Sequence, residues 1–271
     1  HKNDIADMMA GMTEEERKRL YHLLGAQKVA EIFKYIEEPR KYIRELSVES
    51  AARVISEMDS DDAVDLLEDL DPEEKEQIVR MLDEDAKKDV KMLLSYDEEE
   101  IGSCMTTNYI CIPENLTIRQ AMSELVKQAG ENDNIMTIYV VDEKGVFAGA
   151  IDLKDLIRAR ENAHLEDLVL KSYPYVTDHE KIDDCMDRIL DYAEDSIPVL
   201  SEDKKILGVI TSEDLTEMVD NAMGEDYAKL AGLTAEEDLK EPTLQSMKKR
   251  LPWLIILLFL GMAVSSVVGL F

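Results

Sequence analysis

The spacing of apolar residues changes character twice along the chain, and the changes divide it into three regions. From Ser47 the sequence repeats every 12 residues, in units that begin at Ser47, Asp59, Asp71 and Asp83. Each opens on a residue suited to cap a helix, with an acid two places later: Glu49, Asp61, Glu73 and Asp85. Apolar side chains then follow at the eighth, ninth and twelfth places of the first three units: Val54, Ile55, Met58; Leu66, Leu67, Leu70; Ile78, Val79, Leu82. The fourth unit keeps Val90 and Leu94. Pro72 falls at a first helical position, where its missing N–H costs nothing. Helices of this length cannot bury their stripe alone, so the repeat predicts a stack of short helices. Two earlier helices are predicted at Thr13–Leu24 and Ala26–Ile36, with Thr13 and Glu16 at capping-box spacing. Residues 1–100 therefore read as an all-helical superhelix.

Between residues 101 and 220 the period shortens and one unit occurs twice. IYVVDEKGVFAGAIDLKDL (Ile138–Leu156) aligns without a gap on IPVLSEDKKILGVITSEDL (Ile197–Leu215), at an offset of 59. Each copy reads as strand, polar turn, strand with Gly149 or Gly208, then a helix start. Amphipathic helices precede them at Thr117–Gln128 and Ile182–Tyr192, and short extended pieces before those at Tyr109–Ile112 and Tyr175–Thr177. The region reads as a duplicated β-α-β-β-α unit, 101–160 and 161–220, which makes the chain an α+β multidomain protein.

The last stretch, Leu251–Phe271, has 21 residues and no charge. As a helix it would be about 32 Å long, against a hydrocarbon core of about 30 Å. Lys248, Lys249 and Arg250 stand before it and Trp253 near its start, which predicts one transmembrane helix with residues 1–250 on the cytoplasmic side. Gly261, Ser265 and Gly269 make a small-residue face for helix contact in lipid. Residues 221–250 are expected to connect the two, as a helix interrupted near Gly232 and Pro242. A single span is only an anchor, and the chain opens on His1, so a piece of a longer protein is expected; no secretory leader is visible at its start.

Charge sharpens this picture. The chain carries 60 acidic and 31 basic residues, a formal −29. Nucleic acid is excluded as a partner, because phosphate binding needs clustered Lys and Arg. Hard divalent cations, which take oxygen ligands, fit this composition, as does a plain solvated acidic surface. The acidity concentrates in Glu57–Glu100, with 19 acids and 5 bases. Asp59, Asp61, Asp62, Asp65, Glu68 and Asp69 are expected on one outer face, and Asp61 and Asp65 lie one helical turn apart. Cys104, Cys111 and Cys185 form no CxxC pair, which predicts reduced thiols and no zinc site. No nucleophile–base pair, phosphate loop or HExxH motif is found, so an enzyme is not expected.

The duplicated unit resembles tandem cystathionine-β-synthase-type (CBS) domains, which pack pseudo-symmetrically and dimerise as a disc. In that family a GxxTxxDL ending contacts the ribose of an adenine nucleotide. The second copy keeps it as Gly208, Thr211, Asp214 and Leu215; the first has Asp152 in place of the Thr but retains Asp155. The resemblance implies a nucleotide site (ATP) at Thr211, Asp214 and Asp155; helix capping is the other reading of these residues.

The order of all regions resembles the cytoplasmic half of an MgtE-type magnesium channel, from the helical superhelix through the CBS pair and connecting "plug" helix to the first membrane helix. YDEEEIGSCMT (Tyr96–Thr106), IYVVDEKG (Ile138–Gly145) and GEDYAKLAG (Gly224–Gly232) match in collinear order. The resemblance implies a homodimer through the CBS domains, a membrane pore in the same full-length chain beyond Phe271, and Mg²⁺ as both regulatory ligand and transported ion. It implies that Mg²⁺ closes the acidic faces on one another and that low Mg²⁺ opens them. The metal ligands it implies are Glu31, Asp61 and Asp65 in the helical region, Asp183, Asp214 and Glu217 in the second CBS unit, and Glu225 and Asp226 at the start of the plug. Ser103 stands where a glycine carbonyl is used, and Ala193 and Ala222 stand where acids can occur. The alternative function is an adenine-nucleotide-sensing CBS regulator of another membrane transporter.

Overall fold

The computed structural model describes residues 1–216 except 37, 131, 161 and 162, together with 218, 219, 255 and 262. It divides into two units, His1–Ser212 and Glu213–Phe271. The expected plug (221–250) lies outside the described residues, and so does the expected membrane span apart from Ile255 and Met262. Among the described residues no helix is long and apolar enough to cross a membrane.

The first hundred residues are helical throughout: α1 (Lys2–Ala10), α2 (Glu14–Leu24), α3 (Ala26–Phe33), α4 (Pro39–Ile43), α5 (Val48–Ser56), α6 (Ser60–Glu68), α7 (Pro72–Met81) and α8 (Glu84–Leu93). α1 and α4 were not foreseen; each is short and carries a weak stripe, and both are held by packing. The four repeat starts are all N-cap positions. The Ser47 and Asp83 side chains accept from Ser50 N and Ala86 N, and Thr13 and Glu16 form their capping box. Asp59 departs from this pattern: its carboxylate makes no cap bond.

Packing mostly skips one helix, although α2 also packs on α3. α1 packs on α3, α3 on α5, α5 on α7 and α6 on α8. The stripe supplies this: Ile55 and Leu67 are fully buried, and Val54, Leu66, Leu70, Ile78, Leu82 and Val90 nearly so. Burying such a side chain contributes about 1.5–3 kcal/mol, enough to hold helices that would melt in isolation. A second anchor is polar. The buried Arg17 guanidinium forms a bidentate pair with Glu45 and also donates to the Met9 and Met12 carbonyls, joining α1, α2 and the turn after α4.

The duplicated region forms two three-stranded sheets of the same topology. β1 (Ile110–Pro113) runs parallel to β2 (Thr137–Val141) across α9 (Ile118–Gln128), and β2 turns back antiparallel into β3 (Phe147–Asp152), followed by α10 (Leu153–Arg158). β4 (Val176–Thr177), α11 (Ile182–Tyr192), β5 (Ser196–Leu200) and β6 (Ile206–Thr211) repeat this arrangement. Val140 faces Gly149 and Val199 faces Gly208, so the offset of 59 holds in register as well as in sequence.

The two units exchange their leading segments. Thr106, which precedes β1, bonds in both directions to Val209 of β6; Leu170, which precedes β4, bonds in both directions to Ala150 of β3. This exchange explains the paired glycines. A Cβ on Gly149 would lie 2.5 Å from the Leu170 carbonyl oxygen, and one on Gly208 would lie 2.7 Å from that of Thr106. Between the sheets Tyr139 is fully buried, ringed by Tyr109, Phe147 and Tyr173 at 5.9–6.3 Å. The Tyr139 hydroxyl lies 2.7 Å from Ser196 Oγ, and Tyr173 Oη donates to the Ser196 carbonyl at 2.7 Å, so the buried phenols are satisfied.

Candidate functional site

The helical region and the CBS pair meet at Thr106-Thr107-Asn108. Thr106 bridges to Val209 of β6 in the second CBS unit. Thr107 N donates to Ser60 Oγ at 2.9 Å, and Thr107 Oγ1 donates to Asp89 Oδ2 at 2.8 Å. Asn108 Nδ2 donates to Asp59 Oδ1 at 2.9 Å, while Asn108 Oδ1 accepts from Asp133 N at 2.9 Å. Three adjacent residues thus bind the acidic helices α6 and α8, the first CBS unit and the second. A groove of about 650 Å³ opens here, lined by Asp59, Asp83, Glu84, Asp85, Asp89 and Asn108 among others.

The linker on the other side of this junction is fastened to the second CBS unit. Ile101 N and Gly102 N donate to the Glu180 and Asp178 carbonyls, and Tyr96 Oη donates to Asp178 Oδ2 at 3.1 Å. Burial first, then the Asp178 charge, pushes the Tyr96 phenol up to about 12. Glu99 pairs with Lys181 at 2.7 Å, and His179 with Glu100 at 2.9 Å. The bond to Glu100 and the Asp178 charge raise the His179 pKa. A Cβ on Gly102 would come within 2.8 Å of the Asp178 carbonyl and the Tyr96 ring, so glycine is required for this contact.

Asp59 does not cap α6 because its carboxylate is engaged elsewhere. Oδ1 accepts from Asn108 and Oδ2 from Lys34 at the end of α3. The Lys34 ammonium also stands 3.5 Å from Asp62. Burial alone would lower the Lys34 pKa; the Asp59 hydrogen bond and the neighbouring carboxylates raise it instead. The acids of α6 are therefore no uniform solvated face. Asp65, Glu68 and Asp69 are exposed, whereas Asp59, Asp61 and Asp62 are half-buried.

The other expected ligands are dispersed. Asp61 and Asp65 share α6, one turn apart. Glu31, on α3, pairs with Lys2 at 3.1 Å. Asp183 is exposed in the first turn of α11. Asp214 is half-buried and belongs to the second unit; Glu217, Glu225 and Asp226 lie outside the described residues. Among the described residues no three His, Cys, Asp or Glu side chains converge closely enough to hold a metal ion. The donors are all carboxylates, the hard oxygen ligands that suit Mg²⁺.

Of the expected nucleotide ligands, Thr211 ends β6 opposite Ser196 and Asp155 is exposed in the first turn of α10. Asp152, which replaces the threonine in the first copy, caps α10 by accepting from Lys154 N at 3.0 Å. The three cysteines are free thiols. Burial pushes Cys111 and Cys185 up to about 11, so both are protonated near neutral pH.

Sequence reasoning missed Lys34, Thr107 and Asn108. Lys34 gives no local signal, because its partners Asp59 and Asp62 lie 25 and 28 residues further along the chain. Nothing local distinguishes Thr107 or Asn108.

Comparison with known proteins accounts for this arrangement. The profile of the MgtE intracellular N domain matches residues 1–99, and that of the CBS domain matches 99–162 and 165–221. The crystal structure of the soluble part of a magnesium transporter superposes with a TM-score of 0.78 at 30% identity, over 82% of this chain and 88% of that one. The chain belongs to the MgtE magnesium-transporter family. The MgtE magnesium transporter of Enterococcus faecalis is 39% identical across 99% of this chain, which spans 60% of that protein's length. The Thermus thermophilus MgtE is 30% identical over 64% of this chain and 39% of its own. The cytosolic domain of an MgtE Mg²⁺ channel, solved in complex with ATP, superposes with a TM-score of 0.72 at 27% identity, covering 80% of this chain and 90% of that one. These homologues are magnesium transporters and channels, not enzymes.

Proposed function

We propose that this chain is the cytoplasmic magnesium-sensing and gating part of a homodimeric magnesium channel or transporter. The observation that carries the reading is the docking of the carboxylate-rich α6 and α8 on the Thr106–Asn108 junction of the CBS pair. Unit charges about 4 Å apart repel by roughly 1 kcal/mol in water and about 4 kcal/mol at an effective dielectric near 20. Acidic faces brought together thus separate unless cations neutralise them, which gives an assembly with two states. Asp61, Asp65 and Glu31 would hold regulatory Mg²⁺ on the helical side. Asp183, Asp214, Glu217, Glu225 and Asp226 would hold it on the CBS and plug side. Bound Mg²⁺ supplies positive charge and octahedral oxygen coordination. High Mg²⁺ favours the closed state and low Mg²⁺ the open one; Mg²⁺ is also the transported substrate. On this reading residues 221–250 would correspond to the plug and 251–271 to the first membrane helix, leading to a pore of the same full-length chain in the cell membrane. A second copy pairs through the CBS domains, where Val126, Ile157, Leu190 and Tyr192 expose apolar surface.

ATP binding at Thr211, Asp214 and Asp155 is a second component of the proposal, supported by the relative solved with ATP. If the nucleotide alone drives compaction, the chain is instead a nucleotide-sensing regulator. The test is amide hydrogen exchange of the whole chain across a Mg²⁺ titration at constant ionic strength, with and without ATP. Protection at Ser60, Thr107 and neighbouring amides is expected to rise at millimolar Mg²⁺. Asp61→Asn combined with Asp65→Asn is expected to shift that rise to higher Mg²⁺ without loss of helicity. Equal midpoints for the double variant and wild type would remove those residues from the site.

A further inference from the structure

The acidic face of α6 carries a cation of its own. Lys34 ends α3, and its ammonium contacts the Asp59 carboxylate and lies 3.5 Å from Asp62. Asp59 forgoes its capping bond for this partner and for Asn108, so the lysine sits at one end of a polar chain from α3 through α6 to the first CBS unit. Lys34 and Asp59 are partly covered, with side chains 36% and 27% exposed, so the contact is less screened than an open surface pair. Together with Asp61 and Asp65, the lysine's two partners place four carboxylates within seven residues of one helix start.

We propose that Lys34 is a tethered counter-cation that competes with divalent cations for the acidic face of α6 and thereby sets the concentration at which they neutralise it. The inference rests on the magnesium-sensing reading above. An ammonium is a compact point charge, and at Asp59 and Asp62 it stands beside the carboxylates Asp61 and Asp65 assigned above to the divalent ion. While it is in place its positive charge offsets part of the negative charge of the face, and an approaching cation meets a like charge close to its ligands. A divalent ion must displace the ammonium from Asp59 and Asp62 or bind beside it, and either weakens binding. Nothing covalent enforces the tether, so the competition is reversible.

Wild type, Lys34→Gln, Lys34→Arg and, as a charge-matched control, Lys28→Gln on the exposed side of the same helix are compared as whole chains. Two titrations are run at constant ionic strength. Mn²⁺ binding is read from water-proton relaxation, and Mg²⁺-dependent protection of α6 amides from hydrogen exchange. Lys34→Gln is expected to lower both midpoints roughly thirtyfold, the effect of removing one unit charge about 4 Å from a divalent ion in a water-like medium. Lys34→Arg and Lys28→Gln are expected to stay near wild type. Unchanged or higher midpoints for Lys34→Gln, or an equal shift in Lys28→Gln, overturn the proposal. If Mg²⁺ leaves wild-type protection unchanged while Mn²⁺ binds more tightly to Lys34→Gln, the gating reading fails and the role of Lys34 stands. If wild type responds and Lys34→Gln responds at the same concentration, the reverse holds. Lys34→Met, which keeps the aliphatic stem, replaces the glutamine variant should that variant lose its helical circular dichroism.

Discussion

The helical region and the CBS pair are built on opposite uses of polar side chains. In the helical region most polar groups that join elements are half-exposed and charged: Lys34 with Asp59, Arg44 with Asp71 and Glu74, Lys2 with Glu31. Such pairs are worth about 0–1 kcal/mol each and respond to ions. Between the two CBS units the linking polar groups are buried and neutral, Tyr139 with Ser196 and Tyr173 with the Ser196 carbonyl, and the exchanged Thr106 and Leu170 segments add main-chain bonds. Salt does not loosen contacts of that kind. The difference separates a part whose contacts ionic conditions can change from a frame whose contacts they leave alone. The Arg17–Glu45 pair, buried and bidentate, is the exception and holds the start of the helical stack together.

The contrast can be broken most severely in the frame. Tyr139→Ala removes a fully buried ring from the aromatic cluster and is expected to cost about 3–5 kcal/mol. Urea unfolding followed by CBS-region exchange should show the loss, with α5–α8 keeping their own protection. Uniform loss across both regions would mean that they unfold as one.

A smaller effect tests the junction. Asn108→Ala deletes the bonds to Asp59 and to the 133–134 turn. Its expected cost is about 1 kcal/mol of docking free energy, with each region otherwise intact. Lost protection at Ser60 and Thr107 without a fall in melting temperature is the expected result.

The smallest effect concerns the His179 latch, where Glu100, Asp178, Glu202 and the Tyr96 ring face the imidazole and Lys181 pairs with the neighbouring Glu99. Its folded pKa is raised above an unfolded value of about 6.5. The stabilising contribution is therefore fully present below that pH and is lost as pH rises through the folded pKa. The melting-temperature difference between wild type and His179→Ala is expected to shrink as pH rises above about 6.5. A flat difference would show that the latch is not ionic.

Local rules made much of this legible. The caps at Ser47, Asp71 and Asp83, the buried stripe of each repeat and the 59-residue offset depend on neighbours within one or two turns or one hairpin. The glycines at 149 and 208 were visible as a repeat, but their reason was not, because the carbonyls that approach them belong to the other unit's leading segment. The spacing places the acids on one outer face and leaves open whether it is merely solvated; its half-buried acids Asp59 and Asp62 meet partners that no spacing rule reveals.

The sequence by itself determined the order of the strands and of every helix but α1 and α4 among those described, the duplication and the excess of carboxylates, since capping, amphipathic period and net charge are properties of short segments or of composition. Only the tertiary structure decided that Asp59 leaves its cap, because the competing partners lie 25 and 49 residues away, at Lys34 and Asn108. It likewise decided that Thr106-Thr107-Asn108 joins three parts of the chain. Contacts so distant in sequence are selected by the packing of whole elements, whose free energy outweighs the single hydrogen bond that a local cap would offer.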